Sequence, residues 1–374
     1  MITRIIENNI YNQLFKGKAI IVLGARQVGK SSLLKKLFAH RDDVVWMVGD
    51  LAETQLLLEN LTVSKASTLI GNAKIFIIDE AQSIINIGLK LKVFTDHFKD
   101  IQLIATGSSS FDLANKINEP LTGRKWEYML FPLSFHEMAN HQNLFEEHKQ
   151  LYKRLVFGYY PDVVCHEGNA IEILKQLTTS YLYKDVLQWE KLKKSDKILK
   201  LLQALAFQVG SQVSYTELGQ ICGLDNKTVE KYITLLEQAY VIFRLPSFSR
   251  NLRNELKFSK KIYFYDNGIR NTLISNFNSI ELRQDVGALW ENFLLAERMK
   301  RNSYAKHYAQ NYFWRTQEQK EIDFIEEYNG NLNAYEFKWN PKKVSKIPSQ
   351  FLKAYPDAVF QCITPENYWD FVML

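Results

Sequence analysis

Long apolar runs are missing from this chain of 374 residues. The strongest, Ala19-Ile20-Ile21-Val22-Leu23 and Ile75-Phe76-Ile77-Ile78, are strand-sized, well short of the roughly 18 residues a membrane-spanning helix needs. Cysteine is scarce. Cys165, Cys222 and Cys362 lie far apart with no CxxC pair, which excludes a disulfide framework or zinc knuckle and fits a reducing compartment. Glycine (16) and proline (8) are both low, so fibrous and linker-rich classes fall away. The 7 histidines form no HxxxH zinc pair, and no G-x-S-x-G elbow is present. Residues Met1-Ile2-Thr3-Arg4-Ile5-Ile6-Glu7-Asn8-Asn9 show no apolar core followed by a small-residue cleavage site. No secretory signal is expected, and a cytoplasmic protein away from membranes is.

What remains is ordinary globular composition, 46% hydrophobic and 24% charged. At ~100–200 residues per domain, two or three domains are expected. The 23 Phe and 19 Tyr are most economically core. The net charge is +6, but residues 191–280 alone hold 14 basic and 7 acidic side chains, so the middle carries the whole excess. A local basic surplus points toward nucleic acid; a solvated lysine face is the alternative.

Along the first third, buried-strand runs alternate with helical patterns: strands at 18–23, 44–48, 74–78 and 101–105, helices at about 30–39 and 87–97. That is a parallel α/β module. From about 145 to 245 apolar residues recur at helical spacing, as in Leu199, Leu202, Leu205 and Ala206. Short aromatic-rich strands return after about 310. Three modules are expected, with boundaries near 175 and 280.

Gly24-Ala25-Arg26-Gln27-Val28-Gly29-Lys30-Ser31 fits G-x-x-x-x-G-K-[ST], directly after the first strand and opening the helix that begins Ser31-Ser32-Leu33. The glycines let backbone N–H groups wrap phosphates, Lys30 reaches the β and γ phosphates, and the Ser31 hydroxyl ligates Mg²⁺. Lys74-Ile75-Phe76-Ile77-Ile78-Asp79-Glu80 then ends a buried strand in two acids. Asp79 would hold the Mg²⁺ shell and Glu80 would activate the attacking water. The nucleotide set is therefore Gly24, Ala25, Arg26, Gln27, Val28, Gly29, Lys30, Ser31, Ser32 and Asp79, with ATP and Mg²⁺ as cofactors. Candidate catalytic residues are Lys30, Glu80, Ser108 and Arg124. Ser108, at the tip of the 101–105 strand, suits a γ-phosphate sensor if that strand lies between the other two; a plain serine-rich loop is the alternative. Arg124 suits an arginine finger acting in trans, with an ordinary surface arginine or Arg26 as rivals.

These stretches, in the order G-A-R-Q-V-G-K-S-S-L-L, I-F-I-I-D-E-A-Q, A-T-G-S-S-S and L-T-G-R…F-P-L-S-F-H-E-M, resemble the AAA+-type ATPases of prokaryotes that carry a C-terminal domain of uncharacterised function. Those are relatives of the broader archaeal ATPase group. Gly158-Tyr159-Tyr160-Pro161-Asp162-Val163-Val164 and Lys261-Ile262-Tyr263-Phe264-Tyr265-Asp266-Asn267-Gly268 resemble later signatures of that family. The resemblance implies an α/β fold of three parts: a P-loop AAA+ ATPase domain at 1–175, a helical and winged-helix domain at 176–279, and a restriction-endonuclease-like domain at 280–374. It also implies a homo-oligomer, a ring or other assembly, because AAA+ sites are usually completed by a neighbour's arginine.

Tyr215–Leu224 followed by Asp225–Leu236 reads as helix–turn–helix, with Gly223 at the turn and Val229, Ile233 and Leu236 as the buried stripe of the second helix. Asn226, Lys227 and Lys231 fall on its outer face, where a recognition helix would meet DNA. The stretch 241–265, with Arg250, Arg253, Lys257, Lys260 and Lys261, would be the wing, contacting phosphates without sequence choice. A winged helix used only for packing or oligomerisation is the alternative.

In the last module, Asn329-Gly330 is a two-residue hairpin signal. Pairing Tyr328 with Asn331 sets Asp323 opposite Glu336. Period-two alternation puts Asp323, Glu336 and Lys338 on one face and Ile322, Phe324, Tyr335, Phe337 and Trp339 on the other. Facing carboxylates repel unless a cation sits between them. With Lys338 they make the D…E-x-K arrangement of the restriction-endonuclease-like, PD-(D/E)xK fold, in which the acids bind Mg²⁺. Glu291, on the upstream helix, resembles the acid of that fold's first helix. A degenerate nuclease fold with its charges salt-bridged is the alternative.

Two functions follow as expectations. One is a Mg²⁺-dependent AAA+ ATPase acting on DNA, with a metal-dependent nuclease module that cuts or has lost cutting. The other is a nucleotide-controlled switch that binds a protein partner, its winged-helix and nuclease-like parts purely structural.

Overall fold

The computed structural model describes residues 1–108, 115–188, 195–249, 260–316, 318–343 and 345–374. Two compact units are formed, one from 1–132 with 238–240 and one from 133–237 with 241–374. The second unit holds the C-terminal module expected from sequence, the middle module apart from 238–240, and residues 133–175 of the first.

In the first unit, β1 (Ala19–Leu23), β2 (Val44–Val48), β3 (Ile75–Asp79), β4 (Gln102–Gly107) and β5 (Lys125–Met129) make one sheet in the order β2-β3-β4-β1-β5. Every neighbouring pair is parallel. β1, β3 and β4 are buried along their whole length, which explains their unbroken apolar runs: parallel strands in a helix-covered sheet have no solvent face. β5 carries Lys125, Trp126 and Glu127 at a sheet edge and is only partly buried. It had no apolar run to announce it. The helix Ile87–His97 turns Ile87, Leu91 and Phe94 onto the sheet at helical spacing, with the Phe94 ring 4.6 Å from that of Phe76.

In the second unit, β6 (Gln212–Val213), β7 (Ile242–Pro246) and β8 (Lys260–Phe264) form an antiparallel sheet in the order β6-β8-β7. The helices Tyr215–Cys222 and Asn226–Gln238 lie between β6 and β7 in the chain. Further on, β9 (Gln310–Arg315), β10 (Glu321–Tyr328) and β11 (Asn331–Phe337) are antiparallel neighbours, and β12 (Val359–Ile363) joins β11 in parallel. The helix Val286–Ala305 precedes this sheet in the chain. Asn329 (φ 51°) and Gly330 (φ 80°) both take left-handed backbone, as a type I′ turn requires.

One face assignment needs correction. Ile322 does not share the face of Phe324: it packs with Ile325, Leu332, Ala334 and Phe351, whereas Phe324 stacks near Tyr335 and Phe337. The register of β10 against β9 shifts between Ile322 and Ile325, and this irregularity breaks the period-two count.

The 158–164 and 261–268 signatures meet each other. Asp266 caps the helix Asn267–Leu273 through the Ile269 N–H (3.1 Å) and accepts the Tyr159 N–H at 2.6 Å. A Cβ on Gly158 would sit 2.1 Å from an Asp266 carboxylate oxygen, and one on Gly268 would sit 2.2 Å from the Phe157 carbonyl. Asn271 Nδ2 donates to the Leu155 and Val156 carbonyls at 3.1 and 2.8 Å. The two motifs are halves of one tightly packed joint.

Candidate functional site

β1 delivers the phosphate loop at its carboxyl end. Gly24 has φ 155°, and a Cβ there would fall 2.0 Å from the Leu130 carbonyl oxygen, so no side chain fits. Gln27 (φ 58°) and Gly29 (φ 97°) also have positive φ. Such reversals of handedness turn successive N–H groups toward a common centre, the geometry of an anion nest. Gly29 leads into the helix Lys30–Leu37, adding a helix amino terminus. Lys30 is buried, and its Nζ donates to the Gly24 and Ala25 carbonyls, each at 2.9 Å. Ser31 and Arg26 are half-buried and Gln27 is exposed; Ala25 and Val28 are buried under the loop. Ser32 is exposed, on the outer side of the helix start.

Sequence reasoning passed over Arg4. Its guanidinium is buried and donates to the Val28 carbonyl in the loop (2.8 Å) and to the Phe131 carbonyl (2.6 Å), tying the loop to the chain beyond β5. Nothing in the spacing of the motif points to a residue so far upstream.

β4 lies between β1 and β3, so its tip stands beside both the loop and the acids. Thr106 Oγ1 donates to Asp79 Oδ1 at 2.5 Å and accepts the Glu80 N–H at 3.0 Å. Glu80 itself takes left-handed backbone (φ 51°). Gln82 Nε2 donates to Glu80 Oε2 (2.6 Å) and to Ser108 Oγ (3.1 Å). Ser108, buried, is thereby linked to Glu80 through Gln82. Thr106 and Gln82 were not among the candidates; their roles come from strand order, which a sequence does not print.

Arg124 is placed elsewhere. Its carbonyl accepts the Ala19 N–H, at the amino end of β1, whereas the phosphate loop follows the carboxyl end. Five residues of strand separate the two ends, about 16 Å at ~3.3 Å per residue. Its Nε pairs with Asp96 at 2.7 Å on the surface. Arg124 therefore does not address the phosphate loop beside it in the same chain; a surface ion pair with Asp96 is what the structure gives it.

Between the helices Tyr215–Cys222 and Asn226–Gln238, Gly223 caps the first in left-handed backbone (φ 63°), and Asp225 accepts the Thr228 N–H at 3.0 Å to start the second. Val229, Ile233 and Leu236 are buried, and Asn226, Lys227 and Lys231 are exposed. A Cβ on Gly219 would meet the Leu224 carbonyl at 2.6 Å, so the turn packs onto the first helix through glycine. Arg250, Arg253 and Lys257 lie outside the described residues. Lys260 is half-buried on β8.

Lys261 corrects an expectation: it is not a surface cation of a wing. It is 1% exposed, because β8 is covered on both faces from Lys261 to Phe264. Its Nζ pairs with Glu291 Oε1 at 3.0 Å and Glu321 Oε1 at 2.5 Å. Tyr263 Oη donates to the same Glu291 oxygen at 2.5 Å. Burial alone would lower the Lys261 ammonium, but the charges of Glu291, Asp323 and Glu321 outweigh it and hold it above its ordinary value. Burial, with Glu291 and Glu336 nearby, pushes the Asp323 carboxyl well up, against the opposing pull of Lys261 and the Phe337 N–H. That N–H donates to Asp323 Oδ2 at 2.8 Å, and Lys338 Nζ pairs with Glu336 at 2.6 Å. Of the acids named from sequence, Asp323 lies near both Glu291 and Glu336, but Glu291 is paired with Lys261 and Glu336 with Lys338. Among the described residues no three acid, histidine or cysteine side chains stand where they could hold a metal ion. The set does not fit a Mg²⁺ ion as it stands.

A five-stranded parallel α/β sheet with a glycine-bracketed phosphate loop after β1 and an acid at the end of β3 defines a P-loop ATPase fold. Comparison with known proteins agrees. Residues 16–139 match the model of an AAA domain family. Residues 148–280 match a domain of unknown function (DUF8612), and residues 286–367 match another (DUF4143). The chain is 24% identical over 344 residues to an uncharacterized protein of Methanocaldococcus jannaschii, covering 86% of this chain and 75% of that one. It is 24% identical over 331 residues to an uncharacterized protein of Mycobacterium tuberculosis, covering 87% and 71%. Among solved structures, the Walker-type ATPase of Pyrococcus abyssi superposes with a TM-score of 0.52 at 15% identity, over 73% of this chain and 96% of that one. No helix among the described residues is long and apolar enough to cross a membrane.

Proposed function

We propose that this chain is a Mg²⁺-dependent AAA+ ATPase whose nucleotide cycle is coupled to DNA held by a winged helix. The observation that carries the ATPase reading is the phosphate loop itself: three positive-φ residues around a buried lysine whose amine rests on loop carbonyls. Phosphate oxygens would take over those bonds, and Ser31 and Asp79 would hold Mg²⁺, which neutralises phosphate charge when bound. Glu80 is the residue to orient a water, with Thr106, Gln82 and Ser108 setting its position. Arg124 is proposed to act on a neighbouring copy, which makes a homo-oligomer part of the reading.

The DNA part rests on element order. Helix Ser195–Phe207, β6, two helices, then β7 and β8 in a β6-β8-β7 sheet is the order of a winged helix, and its second helix turns Asn226, Lys227 and Lys231 outward. The three-module division at 175 and 280 belongs to this proposal too. A protein-partner switch is the second reading, favoured by one observation: Lys261, counted with the basic face, is buried in an acid cluster.

The deciding experiment is ATP hydrolysis without DNA and with single-stranded, duplex and branched DNA, at low and moderate salt. Stimulation by one form, absent in Lys30→Ala, is expected. Hydrolysis at the wild-type rate in Lys30→Ala would overturn the phosphate-loop assignment, and indifference to every DNA would move the reading to the protein-partner switch.

A further inference from the structure

We propose that Lys261 is the resident cation of the C-terminal acid cluster. Its ammonium pairs with Glu291 and Glu321 beside Asp323 and makes the D…E-x-K set a structural joint in place of a cutting site. Three observations converge. Lys261 reaches two carboxylates at once, Glu291 from the helix Val286–Ala305 and Glu321 from β10. The remaining acids are already served: Asp323 by the Phe337 N–H and Glu336 by Lys338. Arg315, on β9, adds a further cation 3.4 Å from Glu321.

The charges come close to balancing without a metal. Glu291, Glu321, Asp323 and Glu336 face Lys261, Lys338 and Arg315, four carboxylates against three cations. A buried ammonium held by two carboxylates and lying 5.4 Å from the Phe313 ring centre is costly to displace, because the lysine would lose its partners without gaining water. The consequence reaches past the cluster. Lys261 sits on β8, so the same ion pairs fasten the sheet of the helix–turn–helix segment to β10 and to the long helix. Whatever the exposed face of the Asn226–Gln238 helix binds, the four-stranded sheet is tied to it.

The test uses the full chain without nucleotide, with Mn²⁺ as the probe. Mn²⁺ binding followed by electron paramagnetic resonance should be the same in wild type and Asp323→Asn. Mn²⁺ bound by wild type and lost in Asp323→Asn would overturn the proposal. Lys261→Met should melt several degrees below wild type, and adding Glu291→Gln should recover part of the loss, since the uncompensated carboxylate is then removed. A Lys261→Met protein that melts with wild type would also overturn it. Should Lys261→Met fail to fold, the Mn²⁺ comparison on wild type and Asp323→Asn still decides.

Discussion

At the scale of single residues, the nucleotide site is built from hydroxyl and amide groups that position acids. Thr106 is the clearest case, a donor to Asp79 and an acceptor from the Glu80 backbone at once. Thr106→Val keeps the shape and removes both bonds. It should lower kcat by about ten- to a hundredfold, the range for losing a pre-set polar contact, with nucleotide affinity nearly unchanged. Steady-state kinetics beside a nucleotide titration separates the two. Asp285 offers a test in pH. Burial would raise its carboxyl, but hydrogen bonds from Arg283 and Arg270 outweigh that and hold it down at about 2, below its ordinary 3.8. A depressed folded value means the ionised form stabilises the fold. That stability is present above pH 3.8 and lost as pH falls through about 2. Asp285→Asn should therefore be less stable than wild type at neutral pH and converge with it near pH 2, as denaturant titrations at several pH values would show.

At the scale of elements, glycines mark where backbones touch. Gly158 meets Asp266 at a distance no Cβ tolerates, and it has φ 72° besides. Gly158→Ala should cost about 1–3 kcal/mol or more, from overpacking and left-handed strain together. A chemical denaturation midpoint that stays at the wild-type value would contradict the joint described here. The signatures around 158–164 and 261–268 were visible as motifs, yet their purpose was not. They are distant in the chain, and only the packing of Asp266 against the Tyr159 N–H shows that they secure each other.

At the scale of the whole molecule, the prediction concerns salt. If the Asn226–Gln238 helix faces DNA, affinity should fall steeply as salt rises, because phosphate contacts release counterions. Lys227→Ala with Lys231→Ala should weaken binding to all sequences alike and shallow the slope by about 0.9 per lost phosphate contact on duplex DNA. Fluorescence anisotropy at several salt concentrations reads both. A double variant with unchanged affinity and slope would remove this helix from the DNA interface.

The sequence by itself determined four strands of the first sheet and the phosphate loop after one of them. Short unbroken apolar runs suit strands covered on both faces, and a G-x-x-x-x-G-K-S stretch after one of them suits a phosphate. It also determined the hairpin at Asn329-Gly330, because two left-handed residues in a row demand that pair. Tertiary structure alone decided the rest. Strand order put Thr106 beside Asp79, the edge position of β5 hid a strand without an apolar run, and a register shift in β10 moved Ile322 across the sheet. It also turned Lys261 from an expected surface cation into the centre of an acid cluster. A lysine's charge is written in the sequence, but which carboxylates it meets depends on elements far apart in the chain, here β8, β10 and the helix Val286–Ala305.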